Sequence, residues 1–407
     1  MDRQKLSGVF REANWLTQER ITLWATCFGV AWFLFLFWDA WAHSTLGITD
    51  AKGEHIGRDF INYWSGAQLA AGGHAETVYN PKQYLAFQRG FAGPQSEFKM
   101  YSYPPVAILF TLPLCLVSFG VGYVLWSLAS YSLSAVMFSR FVPWRMALPL
   151  AISTPACILS LQSGQNGAFT AALLGGGLTI LGRMPVTAGI MFGLLCYKPQ
   201  LGLLLPLALA AGGYWRSFFA AALTVLALFF CASQAFGIHI WQLFAEHMGR
   251  QTMLMEEGYT LWHRMPTVFA GLRMWGTGIP FAYVMQGVAT VLGAVAVFFT
   301  WRRASVSLPL KSAVLVLAAF LVTPYGWDYD MVVAVFALFW VAADARENGW
   351  MPWEKFAWML LIFLPFHMTP MSKMLGLQLG AVFFAIALWM VLRRAKVISS
   401  FIKGSST

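Results

Sequence analysis

Apolar runs about as long as a bilayer core is thick recur from residue 21 to residue 392, and this repetition constrains the fold more than any motif. A helix needs roughly 20 predominantly apolar residues to cross a ~30 Å hydrocarbon core. Only 11% of the 407 residues are charged and 58% are hydrophobic, whereas a soluble domain carries about 25% charge. No water-soluble fold hides that much apolar side chain. The chain therefore reads as an all-α, polytopic membrane protein. Its formal net charge of +10 does not point to nucleic acid, because Lys and Arg stand in short clusters between apolar runs, not along one face. Cys27, Cys115, Cys157, Cys196 and Cys231 all fall inside apolar segments without CxxC spacing, so they read as packing residues.

Orientation follows from the basic clusters, since cytoplasmic loops collect Lys and Arg. Arg3, Lys5, Arg11 and Arg20 place residues 1–20 inside, and Arg393, Arg394, Lys396 and Lys403 place the tail 393–407 inside as well. An even number of spans is required. Arg140 with Arg145, Arg183, Arg216, Arg302 with Arg303 and Lys311, and Arg346 with Lys355 mark further inside turns. Twelve spans result, near 21–42, 119–139, 146–162, 167–182, 185–197, 200–214, 217–236, 280–301, 312–323, 331–343, 356–367 and 374–392, forming one domain over 21–392. Ala40-Trp41-Ala42 faintly resembles a signal-peptidase site, but the preceding apolar run is span-length and ends in bulky aromatics, so it is expected to be a retained span. Pro104 to Val117 is apolar but would make the count odd; it is expected to be a re-entrant, Pro-led helix, which in turn calls for a cavity to cover it.

Two long outer loops follow, 43–118 and 237–279. Phe60 to Gly72 and Pro81 to Phe91 are expected to be juxtamembrane helices with Trp and Tyr at headgroup level. The second loop, with His247, Arg250, Glu256, Glu257, His263 and Arg264, reads as a domain lid or lipid-headgroup clamp, or as a solvated loop.

With this topology the polar motifs gather at the outer ends of spans: Gly57-Arg58-Asp59, Tyr101-Ser102-Tyr103-Pro104-Pro105, Gly164-Gln165-Asn166-Gly167, Tyr197-Lys198-Pro199-Gln200, Thr323 through Asp330, and Thr369-Pro370. Polar groups near hydrocarbon are costly and are kept where they pair or handle a substrate. Lys198 lies between apolar runs and needs an anion, supplied either by Asp328 or Asp330 or by a lipid phosphate. Asp328-Tyr329-Asp330 has the spacing of a DxD metal motif, a weak signal; no cofactor is expected. The amides of Gln165 and Asn166 suit sugar hydroxyls or, alternatively, a helix cap. Gly175-Gly176-Gly177 lies inside a span and reads as close helix packing. Walker, HExxH and GxSxG sequences are missing, so an ATP-driven pump or a serine hydrolase has no support.

An ordered series of motifs resembles glycosyltransferase family 87, in the GT-C superfamily: Asp59-Phe60-Ile61-Asn62-Tyr63-Trp64, Val78-Tyr79-Asn80-Pro81, Tyr103-Pro104-Pro105, Gly164-Gln165-Asn166, Lys198-Pro199-Gln200 and Thr323-Pro324-Tyr325-Gly326-Trp327. The resemblance implies a GT-C bundle, a polyprenyl-monophosphate donor carrying a mannose-like hexose, and Asp59 as the catalytic base. An outward-facing site agrees, because nucleotide sugars are cytoplasmic. In that reading Lys198 and Arg264 stabilise the leaving phosphate and Arg58 keeps Asp59 ionised. Arg58, Tyr63, Tyr103, Gln165, Asn166, Gln200, Tyr325, Trp327, Asp328 and Asp330 would line the sugar or the lipid or glycan acceptor. One competing reading is a transporter or flippase, which favours internal repeats with broken helices at the midplane, and no convincing repeat is present; another is an assembly or polymerase-type membrane protein without its own sugar-transfer base.

Overall fold

The computed structural model describes residues 3–44, 48–49 and 54–397 and is helical almost throughout. Lys403 and the rest of the basic tail beyond 397, parts of the first long loop, and the side chains of Arg3 and Lys5 lie outside the described residues. The N-terminal helix α1 (Arg3–Glu12) precedes the long apolar α2 (Gln18–Ser44). The first long loop holds α3 (Phe60–Ala71), a 3-10 turn at Ala75–Tyr79, α4 (Pro81–Ala92) and α5 (Val106–Thr111), which runs into a second 3-10 turn at Leu112–Leu116. Then come α6 (Phe119–Phe138), α7 (Trp144–Ser153), α8 (Pro155–Gln162), α9 (Gly167–Ala171), α10 (Gly177–Ile180), α11 (Pro185–Leu194), α12 (Pro199–Gly202), α13 (Leu205–Ala211) and α14 (Trp215–Phe236). The second long loop folds into α15 (Ile240–Glu256) and α16 (Val268–Met274). The chain closes with α17 (Ile279–Arg302), α18 (Leu308–Val322), α19 (Val332–Asn348), α20 (Glu354–Leu375) and α21 (Gly380–Arg394).

Each of the twelve expected spans overlaps helical residues, although the last, 374–392, straddles the end of α20 and the start of α21. Among the described residues four helices, α2, α6, α14 and α17, are long and apolar enough to cross a bilayer unaided, and α7 with α8 adds a fifth as a pair bent by 57°. The other expected spans are shorter or interrupted, and prolines explain several interruptions. Pro155 opens α8, which pushes Thr154 into extended backbone (ψ 126°) and breaks the helix there. Pro199 opens α12 after a break at Lys198 (ψ 63°), and a π-turn at Ala172–Gly176 interrupts the segment between α9 and α10. Gly175 and Gly177 lie so close to the rings of Phe336 and Phe192 that a Cβ would sit 2.6 Å from each.

Two helices form the centre of the bundle. Every residue of α18 from Leu310 to Val322 is buried, as is α19 from Val332 to Ala337. Such all-round burial fits their sequence, which is apolar on every face. The residues between them, 323–331, are thereby held at the middle of one end of the bundle. At the opposite end Arg394 ties α19, α20 and α21 together, pairing with Asp344 at 2.6 Å and with Glu354, and donating to the Gly349 carbonyl at 2.9 Å. Basic turns and polar motifs therefore occupy opposite ends of the same helices.

The first long loop departs from the expectation of surface helices. Both helices form, but nine residues of α3 are buried, in a second core with Tyr79, Tyr84, Tyr101 and Tyr103. Only α4, which buries just Tyr84 and Gln88, keeps a surface-helix character. The apolar residues of α3 are satisfied by the loop's own aromatics and by Phe119 of α6, at 5.4 Å between ring centroids from Phe60, so they need no lipid.

Close approach of α11 and α14 rests on glycines: a Cβ on Gly189 would meet the Ser217 carbonyl oxygen at 2.4 Å, and one on Gly193 would meet Thr224 at 2.5 Å. Gly189→Ala is therefore expected to destabilise the protein by about 1–3 kcal/mol through overpacking. Gly249→Ala, at an open position of α15, should not. Thermal melts of the two purified variants in detergent check the contrast.

Candidate active site

Four segments distant in sequence meet at the end of the bundle that carries the motifs. The turn before α3 has two residues with positive φ, Gly57 (65°) and Arg58 (45°), and so reverses sharply. Consecutive side chains are thrown apart by it. Arg58 pairs with Glu54 at 3.0 Å, not with Asp59, so the expected support of one by the other is not what the geometry provides. Asp59 turns the other way and its Oδ2 accepts a hydrogen bond from Gln165 Nε2 at 2.8 Å.

The Gly164-Gln165-Asn166-Gly167 segment is wedged between that turn and the turn that joins α18 to α19. Gly164 has φ +56°, and a Cβ there would lie 2.6 Å from the Gly57 carbonyl oxygen. A Cβ on Gly167 would lie 2.2 Å from the Tyr329 carbonyl oxygen. The two glycines thus let Gln165 face Asp59 while Asn166 faces Lys198. The side chain of Asn166 does not cap α9 but accepts from Lys198 Nζ at 2.7 Å.

Gln165 is held in one orientation. Its Oε1 lies 2.8 Å from the Tyr63 hydroxyl and 2.9 Å from that of Tyr103, and the two hydroxyls are 2.7 Å apart. A carbonyl oxygen only accepts, so a phenol must donate to it, and the amide nitrogen is left to donate to Asp59. All three partners are buried, which makes the arrangement costly to break. Tyr79 supports it from behind by donating to the Tyr103 carbonyl at 2.8 Å.

The 323–331 segment supplies two ion pairs. Arg264 Nε and Nη2 donate to the two oxygens of Asp328 at 2.8 and 2.9 Å, and Lys198 pairs with Asp330. Tyr329 lies between the two cations, 5.0 Å from Lys198 Nζ and 5.8 Å from the Arg264 guanidinium, and stacks on Trp327 with an interplanar angle of 7°. Of the two anions open to Lys198 in the sequence, the fold supplies the carboxylate. Asp328 and Asp330 each hold a cationic side chain, and among the described residues no three His, Cys, Asp or Glu side chains gather as a metal-ligand group. Burial works against the charge of Arg264, but Asp328 and, more distantly, Tyr329 and Asp59 outweigh it and raise its pKa. Asp59 also helps hold Lys99 above its ordinary pKa against the effect of burial.

The second long loop caps this assembly. His247 and Gln251, one turn apart on α15, are both buried. His247 Nδ1 and Arg250 Nη2 meet the Tyr79 carbonyl at 3.2 and 3.1 Å. Burial and the neighbouring Arg250 lower the His247 pKa. Gln251 Nε2 donates to the Ser102 hydroxyl at 2.7 Å and to Tyr325 at 2.8 Å, while its Oε1 is buried without a hydrogen-bond partner among the described residues. Gln251 was not among the sequence candidates, and its only sequence signal is helical spacing with His247. Gln200 is half-buried on α12, and the hydrogen bonds described here do not reach it.

A model of glycosyltransferase family 87 matches residues 101–324, more than half of the sequence. The chain belongs to glycosyltransferase family 87. The match contains the Tyr103, Gln165 and Lys198 motifs and ends at Pro324, so Asp59 and the 328–330 carboxylates lie beyond it. Searches of curated proteins and of solved structures gave no match. Family membership makes this helical membrane protein a glycosyltransferase, which moves a sugar from a donor to an acceptor.

Lys198 and Asp330 are 3% and 0% exposed, so removing one partner strands a buried charge. Lys198→Met is expected to cost about 3–5 kcal/mol, and Lys198→Met combined with Asp330→Leu to recover much of it. Melting temperatures of the single and double variants measure the difference.

Proposed function

We propose that this glycosyltransferase moves a mannose-like hexose from a polyprenyl monophosphate to a lipid or glycan acceptor at the extracytoplasmic face, with inversion and with Asp59 as base. Twelve spans of a GT-C bundle, with both termini cytoplasmic, put the basic turns inside and the motif end outside. At that face cytoplasmic nucleotide sugars are out of reach, and a lipid-linked donor is the natural alternative. The observation that carries the reading is the fixed carboxylate: Asp59 held by Gln165, itself oriented by Tyr63 and Tyr103, at the end of the bundle that also holds the buried Lys198 and the half-buried Arg264.

In the reaction the acceptor oxygen attacks the anomeric carbon as Asp59 takes its proton. The bond from that carbon to the phosphate oxygen breaks with oxocarbenium-like character, releasing polyprenyl phosphate. Gln165 is then better described as positioning the base than as touching sugar. Arg264 is better placed than Lys198 to meet the phosphate: it is 21% exposed against 3%, and its Nη1 is not used by Asp328. Its carboxylate partner keeps the guanidinium extended at the site. Gln251 Oε1 and Trp327 offer a polar and an aromatic contact for sugar or acceptor.

Purified protein given polyprenyl-phosphate mannose, glucose and arabinose is expected to release polyprenyl phosphate with at least one of them. Asp59→Asn should lower kcat by about 10²–10⁴-fold, and Gln165→Leu should lower kcat more than it raises KM. Wild-type turnover by Asp59→Asn would remove the base assignment. Lack of transfer from every donor would remove the lipid-donor reading.

A further inference from the structure

Two buried polar atoms near Tyr325 have no hydrogen-bond partner among the described residues. One is Oε1 of Gln251, which only accepts, and the other is Nε1 of Trp327, which only donates. Gln251 stands on α15 and is 5% exposed, and Trp327 stands in the turn between α18 and α19. A buried donor or acceptor left unsatisfied carries its full desolvation cost, so a native fold keeps one only for a reason. Here two of opposite sense flank one tyrosine.

Neither atom is loosely placed. The Thr323 hydroxyl accepts from the Tyr325 amide at 3.1 Å and donates to the Tyr325 carbonyl at 3.0 Å, which fixes the backbone there. Gln251 Nε2 donates to the Tyr325 and Ser102 hydroxyls, so the side-chain amide is anchored by one end and its other end is left over. Turning that amide over would only exchange which of its two atoms is left. The Trp327 ring stands edge-on to Tyr325, with centroids 5.9 Å apart and an interplanar angle of 84°, and the Trp327 backbone amide donates to Asp330 at 3.4 Å. Burial raises the Tyr325 pKa to about 12, and the nearby Trp327 indole and Ser102 hydroxyl oppose it. Ser102, Tyr325 and Trp327 are only half-buried, so the cluster is not sealed in the core.

The cluster stands between the two ends of the proposed reaction. Ser102 precedes Tyr103, which helps to orient Gln165 on Asp59. Trp327 precedes Asp328, which holds Arg264. A sugar whose anomeric carbon is attacked beside Asp59 while its phosphate leaves toward Arg264 lies alongside Tyr325. A hydroxyl both donates and accepts, so one hydroxyl of that sugar answers Gln251 and Trp327 together, whichever way the amide is turned.

We propose that Gln251 and Trp327 select the transferred sugar by binding one of its hydroxyls between them, a small shift of the Gln251 amide and the Trp327 ring admitting it. The proposal rests on the lipid-donor reading above. Four donors test it, each a polyprenyl-phosphate hexose lacking the hydroxyl at carbon 2, 3, 4 or 6, compared with the parent donor. Loss of one of the four hydroxyls is expected to lower kcat/KM of the wild-type protein by about 10- to 100-fold, because it leaves both protein groups unpaired. In Gln251→Leu that one penalty is expected to shrink to about threefold, with the other three penalties unchanged. Trp327→Phe, which removes the N–H and keeps an aromatic ring, should shrink the same penalty.

Variants that slow the parent and all four deoxy donors by one common factor would overturn the proposal, since that is what a structural or water-holding Gln251 gives. So would a penalty that follows deoxy acceptors instead of deoxy donors. The wild-type arm decides even if the variants do not fold: equal use of the parent and all four deoxy donors would also overturn it. Lack of transfer from every lipid donor would remove the lipid-donor reading and leave this one to a second measurement. Saturation-transfer NMR of the intact wild-type protein with methyl mannoside, methyl glucoside and their deoxy forms then decides. Loss of signal on removing one particular hydroxyl supports the subsite, and equal signals, or none, overturn it.

Discussion

An ammonium group buried at the end of a membrane bundle has to meet an anion, and much of this structure is arranged around the way Lys198 meets Asp330. Each ion alone would carry a desolvation penalty of several kcal/mol, and together they are tolerable only with good geometry and further hydrogen bonds. Asn166 supplies one such bond and the Tyr329 ring lies close by. To satisfy one lysine the chain brings together the break between α11 and α12, the segment before α9 and the turn after α18. Asp59 is attached to the same assembly one residue away, through Gln165.

The scaffold accounts for the precision available at this point. Because α18 from Leu310 onward and α19 from Val332 to Ala337 are buried on all faces, the turn between them is fixed by the core and not by solvent. Glycine at positions 164 and 167 permits backbone contact that any side chain would block. The aromatic core of the first long loop then sets the hydroxyls of Tyr63 and Tyr103 against Gln165. A carboxylate positioned in this way has its orientation decided by the fold itself.

Two kinds of surface follow from one architecture. The polar end, with paired cations and a fixed carboxylate, suits the making and breaking of bonds to a sugar. A groove along α17 and α21 is lined almost wholly by apolar side chains, and Arg264 is not among them. Pairing Arg264 and Lys198 with carboxylates limits the net charge at the polar end of the bundle.

The membrane class, the helical content and the rough position of the apolar helices were readable from the sequence, because apolar length is a local property that bilayer thickness converts directly into helices. The motifs were also visible as residues that sit badly near hydrocarbon, and their order was enough to suggest the family. The partners of those residues were not readable. Nothing local distinguishes Arg58 turning to Glu54 from Arg58 turning to Asp59; the positive φ of two successive residues decides it. Whether Gln165 would cap a helix, bind sugar or orient a carboxylate depended on two tyrosines 62 and 102 positions away. Gln251 carried no motif at all. Whether α3 would lie on lipid or in a core of its own was settled by aromatics elsewhere in the loop. Hydrophobicity is summed along the chain, whereas hydrogen bonds and ion pairs are made across it, so only the tertiary structure could choose among the partners the sequence offered.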